Sequence, residues 1–218
     1  MIKKIRELNN KEIKFLKSSI EGAKNAKKRT VIKFVSLCAL TLILGLIAFY
    51  FHKDSKIELK LLLIVTILIY ISIIFWVFIK HYIAIKLHVD EIKFAIQKNE
   101  VISIHIETTK CIELSEESDE GNFFLFQLLG NKIILLGGQE FEITQKFPND
   151  NFEIAVCYDR KERILFHKIY TYGNKLLPIK KIIGEKKQKI LYYKGYSDFS
   201  EFQSVNGHIN NIDEIFDL

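Results

Sequence analysis

Two stretches of this 218-residue chain, residues 34–52 and 61–79, contain no Asp, Glu, Lys or Arg. That removes the ionisable relays and pathways by which membrane pumps and transporters move ions. The three cysteines, Cys38, Cys111 and Cys157, lie far apart with no CxxC spacing. A disulfide framework or zinc site is thereby excluded, and the thiols read as reduced and structural. P-loop, GxSxG, HExxH and GxGxxG patterns are absent, and the six histidines are scattered. With no nucleophile beside a base, the sequence predicts no catalytic residue, no metal and no cofactor. A signal peptide fits poorly too, because the first apolar run begins at residue 34 and ends with no small-residue cleavage site.

Each uncharged window is 19 residues long. At about 1.5 Å per residue it covers about 28 Å, close to the hydrocarbon thickness of a bilayer. The sequence therefore predicts a transmembrane hairpin, with spans at about 31–52 and 57–83. Residues 1–98 hold 18 Lys and Arg against 7 Asp and Glu, and residues 99–218 hold 14 against 19. The basic excess sits beside the membrane, where it suits anionic lipid headgroups, while the acidic remainder is unsuited to a nucleic acid polymer. The flanks carry 11 basic residues up to Lys33 and 4 more from Lys80 to Lys98, against 3 in the connecting loop. Both termini are thus expected in the cytoplasm of a bacterial cell, with the hairpin in the inner membrane.

Asn9 with Glu12 reads as a capping box, and Ile13, Leu16, Ile20 and Ala23 follow at helical spacing. Ile85, Val89, Ile92 and Ile96 form a matching stripe, and no proline interrupts residues 1–98. Helices over about 10–51 and 57–98, packed as a stalk, are expected; the competing reading lays the lysine-rich first segment flat on the inner leaflet. Thr41, Gly45 and Ala48 let another helix approach closely, either across the hairpin seam or in a homo-oligomer contact.

Beyond residue 99 the period falls to two. Ile102, Ile104 and Ile106 alternate with polar residues, as do Phe152, Ile154, Val156 and Tyr158, and turn signals recur at short intervals. About eight short, mostly antiparallel strands are expected between residues 101 and 193, as a β domain over 99–197 with an acidic tail over 198–218. The overall class is an α+β membrane protein whose strands close into a small barrel or pleckstrin-homology-like roll, since an open sheet leaves exposed edges. The tail is expected either to end in a short helix covering the barrel or to be disordered. Seven lysines between Lys175 and Lys194 read as a basic strand edge, solvated or facing headgroups. The carboxylates Glu113, Glu116, Glu117, Asp119 and Glu120 lack calcium-loop spacing and read as a solvated turn.

The stretch ELSEESDEGNFFLFQLLGNKIILLGGQEFEITQKFPNDNFEI resembles an uncharacterised family of small bacterial two-span membrane proteins, in which acidic DEG, GGQ and FPN turns punctuate successive strands. On that resemblance Asp119, Glu120, Gly121, Gly138, Gln139, Phe147, Pro148 and Asn149 are the candidate recognition turns; it implies no activity. The layout is also similar to membrane effectors of bacterial cyclic-oligonucleotide antiphage systems. Three functions follow as expectations. The first is a non-enzymatic sensor, adaptor or effector, whose β domain binds a small ligand or a protein and couples to the membrane helices. The second is a structural subunit of a membrane assembly, and the third a nucleotide-triggered membrane effector.

Overall fold

A computed structural model describes the chain except for residues 52–55, 116–120, 139–140, 142 and 193–203. It divides into a helical unit, Leu8–Asn99, and a sheet unit made of Met1–Glu7 and Glu100–Leu218.

The helical unit is a hairpin of α1 (Asn10–Phe51) and α2 (Ile57–Lys98), each 42 residues. The capping box is present: Asn9 Oδ1 accepts the Lys11 and Glu12 N–H groups at 2.9 Å, and the Glu12 carboxylate accepts the Asn9 N–H at 2.8 Å. At the other terminus Asn99 takes the left-handed conformation (φ 53°) and donates its N–H to Ala95 O at 3.1 Å, a cap that asparagine tolerates better than most residues. Asn99 Oδ1 also accepts the Leu8 N–H at 3.3 Å, tying the lead-in of α1 to the exit of α2.

One seam runs the length of the hairpin. The stripe Ile13, Leu16, Ile20 and Ala23 is buried or half-buried, as is Ile85, Val89, Ile92 and Ile96. Further along, Lys27 Nζ lies 4.3 Å from the Tyr82 ring, Phe34 stacks on Phe78 at 4.3 Å, and a Cβ on Gly45 would stand 2.8 Å from Ile67 Cδ1. These pairings fix an antiparallel register and place Thr41, Gly45 and Ala48 on the intrachain seam. α1 is continuous, so its first segment is part of the stalk rather than a separate surface helix. The helices are long and apolar enough to cross a membrane, and their most apolar windows are only 6% and 0% buried by protein. A core helix of a soluble protein would be mostly covered. Between Asn10 and Lys33, α1 extends about 35 Å beyond its uncharged window.

The sheet unit is organised by one long strand, β2 (Val101–Leu114), which belongs to two layers. Its first half pairs antiparallel with β1 (Ile2–Arg6) on one side and β5 (Asn151–Tyr158) on the other, and β5 pairs with β6 (Ile164–Thr171). Its second half pairs with β3 (Asn122–Leu128), which leads to β4 (Lys132–Gly138) and β8 (Ser204–Asn206), and on the opposite edge with the short parallel strand β7 (Lys181–Ile182). The handover falls at a register shift between Thr108 and Cys111, where Thr108 Oγ1 donates to Gln127 O at 2.7 Å. Shifts of this kind bend a strand and let it serve two layers.

The α+β class and the run of mostly antiparallel strands are present, but closure into a barrel is not seen: among the described residues the eight strands form an open sheet that runs from β6 to β8. Closure proved unnecessary because the bend folds the sheet onto itself. Ile104, Ile106, Phe124, Phe126, Phe152, Ile154 and Val156 meet between the layers with Phe141 and Phe147. The opposite face of the β3–β4 layer is covered by α3 (Gly184–Tyr192), a 3-10 turn (Ile209–Asn211) and α4 (Ile212–Ile215), through Ile190, Leu191, Ile209, Ile212 and Phe216.

One element is new and one expectation changes. Ahead of the Asn9 cap, Ile2–Arg6 form strand β1 by pairing with β2, although IKKIR carries no two-residue period. Residues 184–192 form a helix where a strand was expected, because Lys187, Ile190 and Leu191 are buried along one helical face. The tail does end in a short helix over the sheet, and it also adds strand β8.

Gly137 stands opposite Phe123 in the β3–β4 ladder. A Cβ there would overlap Phe123 Cδ1 and lie 2.8 Å from Phe123 Cα. Since the backbone itself blocks the methyl group, Gly137→Ala is expected to cost about 1–3 kcal/mol. Denaturant unfolding of the full chain in micelles reads this directly, and a neutral outcome would place Phe123 elsewhere.

Candidate functional site

In the β1–β2–β5–β6 layer, Ile104, Ile106, Ile154 and Val156 point to the interior, so alternation turns Ser103, His105, Glu153 and Ala155 to the opposite face. The register sets His105 opposite Glu153 and Glu153 opposite Tyr170, with Ser103 opposite Ala155. Glu153 becomes the centre of a polar cluster. Arg6 Nε donates to its Oε1 at 2.7 Å, and the Tyr172 hydroxyl donates to its Oε2 at 2.7 Å. The ion pair is largely shielded, with side-chain exposures of 22% for Arg6 and 11% for Glu153. Ser103 Oγ, buried beside them, makes no hydrogen bond among the described residues. His105 adjoins the cluster, its ring centroid 6.2 Å from that of Tyr172 and its Nε2 3.4 Å from Glu107 Oε1.

Burial alone would raise the Glu153 carboxyl, but the Tyr172 hydroxyl and the Arg6 guanidinium outweigh it and hold the group below its ordinary value. Tyr172 is pushed up to about 12, first by burial and then by donating to Glu153. A carboxylate so stabilised is a weak proton acceptor, and a phenol so raised is a weak nucleophile. The cluster is therefore built as a clamp: it fastens β1 across β2 to β5 and to the residue after β6.

The turns singled out by sequence play other parts. Phe147 is buried among Phe124, Phe126, Phe141 and Phe152 at centroid distances of 5.4–6.0 Å. It leads by a cis peptide bond into Pro148. Asn149, 1% exposed, donates to Lys146 O and Gly173 O and accepts the Asn151 and Gly173 N–H groups, so its hydrogen-bonding capacity is spent within the fold. Gly121 (φ 82°) and Gly138 (φ 121°) occupy backbone positions that favour glycine. Asp119, Glu120 and Gln139 lie outside the described residues. Among the described residues, the register sets Asn122 opposite Gly138, so Gly121 and Gly138 adjoin at one end of the β3–β4 pair.

The lysine run is largely self-engaged. Lys180 and Lys186 approach Asp213, Lys181 pairs with Glu113, and Lys175, Lys187 and Lys189 donate to the carbonyls of Thr144, Ser115 and Asp217. Arg6, Glu153 and Tyr172 were missed by sequence reasoning. A signal existed, a lone carboxylate within the apolar strand FEIAVCY, but its partners lie 147 and 19 residues away. No family model matches the chain, and neither a curated protein nor a solved structure matches it, so the resemblance to small two-span bacterial membrane proteins rests on the turn pattern alone.

Proposed function

We propose that this chain is a non-enzymatic coupling protein of the bacterial inner membrane, with both termini cytoplasmic, whose sheet unit engages a protein partner and relays that event to the membrane helices. The observation that carries this reading is topological: the hairpin α1–α2 is spliced between β1 and β2, two strands that are hydrogen-bonded neighbours. Only residues 7–9 separate β1 from α1, and only residues 99–100 separate α2 from β2. Force or rotation in the hairpin therefore reaches a single strand pair from both sides. The aromatic packing between the layers favours a partner at the surface over a nucleotide in the interior.

Bridging Ile20→Cys to Val89→Cys across the seam, in a background without native cysteines, tests the relay. Closing that bridge in the vesicle-embedded protein is expected to slow amide exchange at residues 102–105 at least tenfold. Unchanged exchange would sink the coupling reading.

A further inference from the structure

The helical unit carries its own charge anomaly. Between Glu21 and Asp54, and again between Glu58 and Asp90, the sequence contains no acidic residue. Within these intervals lie Lys24, Lys27, Lys28, Arg29 and Lys33 on α1 and Lys80 and Lys86 on α2. The Lys27–Tyr82 and Phe34–Phe78 contacts bring the two sets to the same level of the hairpin. Seven cations thus encircle a section of about 15 Å of helix length. All but half-buried Lys27 are exposed, and among the described residues none of the seven forms an ion pair.

This differs from Lys175, Lys180, Lys181, Lys186, Lys187 and Lys189 of the sheet unit, which find oxygen partners within the fold. Uncompensated charge at one level needs anions from outside the chain. The aromatic neighbours point to their source, because Lys80 Nζ lies 3.9 Å over the Trp76 ring and Lys27 Nζ 4.3 Å over Tyr82, the pairing of basic and amphipathic aromatic side chains that suits a headgroup layer. The collar also begins where the uncharged windows end.

We infer that this collar is a binding site for anionic phospholipids, gathering phosphatidylglycerol-like headgroups around the hairpin. The inference rests on the membrane reading above and gives it a chemical partner. Each cation near a charged surface adds to the attraction, so several acting together select anionic over zwitterionic lipid in a salt-sensitive way.

Trp76, the sole tryptophan, reports from the edge of the collar. The full chain is reconstituted in bilayers containing phosphatidylcholine or phosphatidylglycerol with brominated acyl chains, and quenching of Trp76 gives their relative occupancy. Wild type is expected to favour phosphatidylglycerol at least threefold, with the preference falling as salt rises. The fourfold variant K24Q/K27Q/K28Q/R29Q is expected to lose most of the preference while remaining quenched by brominated phosphatidylcholine, which shows that it still inserts. Equal quenching by both lipids in wild type overturns the collar proposal alone. Absence of quenching by either lipid overturns the membrane reading beneath it. Loss of the preference on adding soluble glycerol 3-phosphate would show a site for free phosphate esters rather than lipid.

Discussion

Phe147→Ala is expected to lower the stability of the sheet unit by about 3–5 kcal/mol, the range for emptying an aromatic site in a close-packed core. Phe147 is 3% exposed and meets Phe124 and Phe152 edge-on, with interplanar angles of 89° and 90°. Such pairs add stabilisation beyond the area they bury. Surrounding strands are locked by ladders on both sides, so the cavity has little freedom to collapse. Amide exchange of β3, β4 and β5 in the micelle-held full chain measures the loss, because protection there tracks global opening. A change under about 1 kcal/mol would instead return Phe147 to the role of an exposed recognition residue.

That experiment also bears on what was legible in the sequence. The helical unit was readable almost to the residue, because everything that defines it is local: the Asn9–Glu12 capping box, stripes at helical spacing, and freedom from proline. The turn at Asp159 is local in the same way, since its carboxylate accepts the Lys161 and Arg163 N–H groups close by. Where a strand goes is a different matter. Ile102, Ile104 and Ile106 announce a strand, but nothing within β2 announces that it changes layers, and this bend is what makes an open sheet viable. β1 was hidden because five residues ahead of a strong helix signal read as its lead-in. The run 184–192 combines too many lysines with too few apolar residues for its period to stand out.

The candidate site was the least legible part. The turns carried a pattern in sequence, but patterns at turns report backbone demands as readily as binding. Gly121 and Gly138 meet such demands, and Asn149 spends its amide on the fold. The Glu153 cluster is formed by three residues that only tertiary pairing brings together. One of the three, Arg6, is the last residue of β1, shortly before the chain enters the helical unit.

Glu153→Ala is accordingly expected to cost about 2–3 kcal/mol, because it strands a shielded guanidinium and the Tyr172 hydroxyl together. Arg6→Ala on the Glu153→Ala background should cost much less than Arg6→Ala alone, and a double-mutant cycle in the full chain should return a coupling of about 1–2 kcal/mol. Acid gives an independent check. The folded-state carboxyl titrates below its unfolded value, so its contribution is complete above the ordinary carboxylate range and is lost as pH falls through the depressed folded value. Unfolding curves of wild type and Glu153→Gln should therefore differ most near neutrality and converge in strong acid. A gap that widens on acidification would mean that Glu153 is protonated in the folded protein and that Arg6 is held by something else. If the clamp holds β1 in its place beside β2 and β5, Glu153→Ala should also abolish the slowing of amide exchange at residues 102–105 caused by bridging positions 20 and 89, while leaving the bridge itself as easy to form.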